Sequence, residues 1–185
     1  MKNRAELAKH FAELGFQDGV EVGVADGFFS EVICKANPGV MLYCVDPWEF
    51  YPGYTTFKKN QAEFDALYED AKKRLEPLGC ALIRARGVEA AKEFGEEELD
   101  FVFLDGDHKY DAVKEDIATW APKVRIGGIV SGHDYYLTRA GNRGVIDAVD
   151  QYVAANGYEL QTTDWDKENP APDERQPSWY FVKTK

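Results

Sequence analysis

Short, mostly apolar runs alternate with amphipathic stretches along most of the 185-residue chain. Leu7, Phe11 and Leu14 recur at helical spacing within residues 4–14, and Gly15 stops them. Residues 19–24 read as a buried strand. After Gly27, residues 29–36 read as a helix that Asn37-Pro38-Gly39 ends. The apolar run 40–45 closes on Asp46-Pro47, and an aromatic loop, 48–54, and a long amphipathic helix, 56–75, follow. Strands are then expected at 80–85, 99–104 and 126–131, with helices at 88–94, 110–120 and 144–155. Beyond Gly157 the pattern changes. Residues 158–163 and 179–183 read as two strands joined by a polar, proline-containing connection, 164–177.

Strands that are apolar throughout and alternate with helices are parallel strands covered on both faces. Five such units followed by a hairpin-like pair imply an α/β, doubly wound, mostly parallel seven-stranded sheet with a C-terminal antiparallel strand. The length fits one domain over residues 1–185. In such sheets ligands bind at the carboxyl ends of the strands, near the point where strand order reverses. The residues just after each strand are therefore where chemistry is sought.

A net charge of -11 argues against binding nucleic acid or an anionic membrane, since both require a basic footprint. No apolar run is long enough to span a bilayer, and the first residues lack the apolar core of a signal peptide, so a cytoplasmic location is expected. Cys34, Cys44 and Cys80 lie in apolar surroundings without metal-type spacing and are expected to be buried, reduced thiols.

After the first strand comes EVGVADGFFS, residues 21–30, in which Gly23 and Gly27 permit a tight turn and a close ligand approach at a helix start. The spacing is not the G-x-G-x-x-G of dinucleotide folds. The second strand ends on Asp46, placed to accept hydrogen bonds from ribose hydroxyls. The fourth strand ends in Asp105-Gly106-Asp107-His108 and the fifth in Gly132-His133-Asp134. Neighbouring strands would bring Asp105, His108, His133 and Asp134 to one pocket, suited either to a divalent cation or to a general base.

These motifs in order, with the Cys44-Val45-Asp46-Pro47-Trp48 strand end between them, resemble the class I S-adenosylmethionine-dependent methyltransferases. The resemblance is to small-molecule O-methyltransferases related to the catechol, caffeoyl-CoA and macrocin-type sugar enzymes, and it covers nearly the whole chain. It implies a Rossmann-like fold, S-adenosylmethionine as cofactor and a small-molecule acceptor, with homodimers common among relatives. It assigns Glu21, Gly23, Ala25, Gly27 and Ser30 to the methionine and ribose side of the cofactor, Asp46 to the ribose and Trp48 to the adenine. Asp105 matches a metal-ligand aspartate, also on the cofactor side, and His133 and Asp134 fall at the other ligand positions. His108 falls where several relatives carry a catalytic lysine.

Two departures matter. His133 stands where relatives carry a carboxylate, which softens a site otherwise suited to Mg²⁺ and admits Mn²⁺ or no metal. Arg84-Ala85-Arg86-Gly87 replaces the acidic residue and serine of relatives, leaving the adenine contact unassigned between Arg86 and the Gly87 amide. The reading is methyl transfer to a hydroxyl of sugar or phenolic type. His108 is the expected base, Asp105 the expected catalytic partner, and a cation on Asp105, His133 and Asp134 the expected aid. Trp48, Phe50, Tyr51, Tyr54, Tyr135 and Tyr136 are candidates for the acceptor pocket, and Arg139 and Arg143 for an anionic acceptor group. The alternatives are a cofactor-binding protein without turnover, a related metal-dependent hydroxylase and a nicotinamide-dependent oxidoreductase, the last disfavoured by its glycine spacing.

Overall fold

The structure is a computed structural model that describes residues 1–51, 60–171 and 175–185. The strands are β1 (Asp18–Val22), β2 (Met41–Asp46), β3 (Ala81–Arg84), β4 (Leu99–Leu104), β5 (Val124–Gly132), β6 (Gln161–Thr162) and β7 (Trp179–Val182). The helices are α1 (Arg4–Glu13), α2 (Phe28–Ala36), α3 (Gln61–Leu75), α4 (Gly87–Ala90), α5 (Tyr110–Trp120) and α6 (Gly144–Asn156). The sheet runs β3-β2-β1-β4-β5-β7-β6. Its first five strands are parallel, and β7 lies antiparallel between β5 and β6. The order reverses between β1 and β4, as the doubly wound expectation requires.

Strand β4 shows why the sequence folds this way. Its side chains alternate between faces, and both faces are apolar. Phe101 and Phe103 enter one core with Leu7, Phe11, Phe29, Ile33 and Leu75, so α1, α2 and α3 cover that side. Val102 and Leu104 enter the other with Phe94, Val113, Ile117, Trp120 and Val149, so α4, α5 and α6 cover the opposite side. Helix α1 is ten residues long and would be marginal alone. Burial of Leu7 and Phe11, at ~2–3 kcal/mol each, holds it. The Phe11 and Phe101 rings stack at 4.2 Å. Asn3 caps the helix by accepting the Glu6 amide.

The strand expected at 158–163 shortens to β6, and the Tyr158 ring before it stacks on Phe181 at 4.7 Å. Helix α3 begins at Gln61, capped by Asn60; the residues before it, and Tyr54, fall outside the described segments. The three cysteines are free thiols; Cys34 and Cys44 are buried, and Cys80 is half-buried with its sulfur 3.3 Å from that of Cys34. No helix of the described residues is long and apolar enough to cross a membrane.

Candidate active site

At the carboxyl end of β1 the chain turns through Gly23 (φ 93°), Ala25 (φ 50°) and Gly27 (φ 80°) into α2. A Cβ at Gly23 would overlap the backbone carbonyl of Asp105. Gly23 thus lets the turn lie against the end of β4, and the sheet opens there. Asp46, at the end of β2, holds the turn from the other side. Its Oδ2 accepts the Val24 and Ala25 amides at 3.0 Å each, and its Oδ1 accepts the Trp48 amide at 2.7 Å. Burial raises the Asp46 pKa while those amides pull it down, with a net rise. Of roughly four acceptor sites on a carboxylate, one remains. Asp46 thus has room to accept one further donor.

Around this turn lies a cavity of about 450 Å³ at the ends of β1 to β4. Gly23, Ala25, Asp46, Arg86, Gly87 and Asp116 are among its walls. Trp48 is not. It is fully buried at φ 42°, its indole N–H donates to the Ala25 carbonyl at 2.8 Å, and its ring meets Tyr68 edge-on. Trp48 therefore braces the turn from behind, and the expected packing beside adenine gives way to that role. Glu21 and Ser30 are also buried, hydrogen-bonded to each other beneath the turn. Burial pushes the Glu21 carboxyl up to about 8, so it is neutral at pH 7 and supports the floor without adding charge.

A second cluster stands beside the cavity. Asp105, His108 and Asp134 bring one ligand atom each within 4.8 Å of one another. His108 Nε2 lies 3.0 Å from Asp134 and 3.6 Å from Asp105. Burial alone would lower its pKa, but the two carboxylates raise it to about 9. Burial would raise Asp105, yet the imidazoles of His133 and His108 and the Arg4 guanidinium hold it well below the usual carboxylate range. Burial and the Asp105 charge raise Asp134, which sits at φ 57°. His133 does not complete the ligand set as expected. Its Nδ1 lies 3.9 Å from Asp105 and 3.5 Å from Asp134, and its Nε2 is buried without a partner. His108 takes its place in the convergent triad.

Two residues escaped the sequence reading. Arg4, buried on α1, pairs with Asp105 at 2.8 Å. Asp116, on α5, lines the large cavity and a small space of about 10 Å³ beside it, the size of one water. Burial, then the charges of Glu115 and Asp107, push Asp116 up to about 7. Because the folded-state value is raised, its contribution is full below the unfolded value of about 4 and is lost as pH rises to about 7. Asp116→Asn is expected to stabilise the protein by about 1–2 kcal/mol at about pH 8 and by little near pH 4. Urea denaturation at the two pH values measures it, and equal effects at both would contradict the burial argument.

The aromatic candidates divide. Tyr51 lines the large cavity and stacks with Arg86, whose guanidinium carbon is 5.3 Å from its ring. Phe50 is exposed. Tyr135 packs against the core and donates to Asp150, while Tyr136 meets Trp165 edge-on. Arg143 pairs with Asp147 at 2.9 Å, and Arg139 is exposed.

A sequence profile described as a methyltransferase domain matches residues 20–135. No curated protein matches the chain by sequence. Among solved structures, the O-methyltransferase TomG of Streptomyces achromogenes, involved in tomaymycin synthesis and in complex with SAM, is similar with a TM-score of 0.67 at 16% identity. The match covers 98% of this chain and 80% of that one. An O-methyltransferase from Bacillus cereus in complex with SAH gives 0.64 at 11% identity, covering 97% and 80%. An rRNA methylase from Streptococcus thermophilus gives 0.65 at 14% identity, covering 100% and 99%. At these identities the shared property is the fold.

Proposed function

From the premise that the chain belongs to this methyltransferase domain family, we propose that it moves a methyl group from S-adenosylmethionine to a hydroxyl of a small molecule of sugar or phenolic type. The observation that carries this reading is the adjacency of two features. A cavity of about 450 Å³ sits at the switch point of the sheet, and the Asp105–His108–Asp134 cluster stands beside it. The volume lies in the range of small-molecule sites. The glycine turn and the free acceptor site on Asp46 suit a ribose, which is how the residues present fit the cofactor. When bound, S-adenosylmethionine supplies an electrophilic methyl group.

The chain's own residues align and deprotonate. In its neutral form His108 accepts the hydroxyl proton, and the carboxylates of Asp134 and Asp105 stabilise the imidazolium that forms. With its pKa near 9, the free base grows as pH rises above neutrality. A small acceptor is favoured over RNA by the net charge of -11 and by a cavity wall carrying Asp46, Glu49, Glu89, Asp107, Glu115 and Asp116 against Arg86.

The expected cation set does not fit as it stands. His133 is outside the convergent triad, and the Asp105 oxygen at 2.8 Å from Arg4 is already neutralised. Calorimetric titration with S-adenosylhomocysteine, with NAD as control, tests the reading. Wild type is expected to bind the former alone, and Asp46→Ala to weaken it about tenfold or more, by loss of both a ribose contact and the turn's brace. Preference for NAD would end the proposal.

A further inference from the structure

We propose that Arg4 is this site's built-in cation. Its guanidinium neutralises Asp105 from the Oδ2 side, next to the Oδ1 that faces His108, so a divalent ion there meets like charge and the chain carries out its chemistry without one. Arg4 Nη1 is 2.8 Å from Asp105 Oδ2, and the Arg4 side chain is only 9% exposed. The guanidinium carbon lies 4.6 Å from the Phe29 ring centroid, which holds the group over an aromatic face. Its charge also reaches Asp134 and Glu21.

The placement is built from several contacts. Leu7 and Phe11 seat α1 on the sheet, and the turn before it is tied to the far end of the chain. Asn3 Nδ2 donates to Asp166 at 2.7 Å, Lys2 pairs with Asp166 at 3.3 Å, and the Asp164 amide donates to the Met1 carbonyl at 2.9 Å. An ion entering at Asp105 Oδ1 would have to displace the buried guanidinium or sit beside it against like charge. Both are unfavourable in a low-dielectric site. A fixed guanidinium at that carboxylate instead supplies positive charge beside the hydroxyl without a binding equilibrium. The catalytic half of this inference rests on the methyl-transfer reading; the ion half does not.

The probe is Mn²⁺ alone, followed by the loss of its free-ion electron paramagnetic resonance signal. Chelator-treated wild type is expected to leave the signal unchanged, and Arg4→Lys likewise, because the charge is kept. Arg4→Met exposes an uncompensated carboxylate to His108 and Asp134 and is expected to gain Mn²⁺ affinity by about tenfold or more. That gain should vanish when Asp105→Asn is added. Wild-type Mn²⁺ binding that Asp105→Asn abolishes would overturn the proposal, as would a folded Arg4→Met with no gain. Melting curves establish folding, and if Arg4→Met does not fold, the wild-type comparison with Asp105→Asn decides. Failure of wild type to bind S-adenosylhomocysteine would sink the methyl-transfer reading and leave the ion result standing.

Discussion

Gly23→Ala is expected to abolish S-adenosylhomocysteine binding and to lower the melting temperature by about 10 °C, corresponding to roughly 3–4 kcal/mol. Two costs combine. The residue sits at φ 93°, where a side chain is strained, and its Cβ would overlap the Asp105 carbonyl. That carbonyl is backbone at the end of a central strand and has little room to give, so β1 and β4 must separate at the point where the cavity forms. Gly39 provides the control. It has nearly the same φ, 94°, with nothing within 4 Å of the position a Cβ would take, so Gly39→Ala should cost only about 1 kcal/mol from strain. Calorimetry and melting curves on both variants separate the effects. Equal losses would show that crowding against Asp105 contributes nothing.

His108→Ala should lower turnover with a competent acceptor about 100- to 1,000-fold while leaving S-adenosylhomocysteine affinity within about threefold. The separation follows from the walls. His108 lines the small space and faces Asp134, whereas the large cavity is formed without it. A base removed from the acceptor side costs rate. If affinity instead fell in step with rate, His108 would belong to the cofactor wall and the proton-transfer role would be lost.

Much of this was legible in the chain because the relevant signals are local. Strand β4 and helix α5 fall on the residues their periodicity predicts, since a run with five apolar residues of six and a 3.6-residue repeat need no tertiary context. The acids and histidines at the ends of β4 and β5 were found the same way, because parallel neighbours place their carboxyl ends together. What escaped depends on distant approach. Arg4 reaches Asp105 across 101 positions, and in sequence it is one charge among many on an amphipathic helix. Asp116 reads as part of the polar face of α5, and only the fold shows that this face looks into a cavity. The family resemblance places Trp48 beside the adenine, and the fold does not. The left-handed backbone of Trp48 turns the indole inward, and nothing in the neighbouring residues signals that.

Four non-glycine residues in the described segments hold the left-handed conformation, and three of them, Ala25, Trp48 and Asp134, lie around this one site. Each carries a conformational cost of order 1 kcal/mol that the surrounding fold absorbs. Laboratory evolution would expose the tension. Lineages selected for heat tolerance would relax these positions towards glycine, and lineages selected for catalysis would keep them, so the two regimes should part first at the rim of the sheet and last in its core.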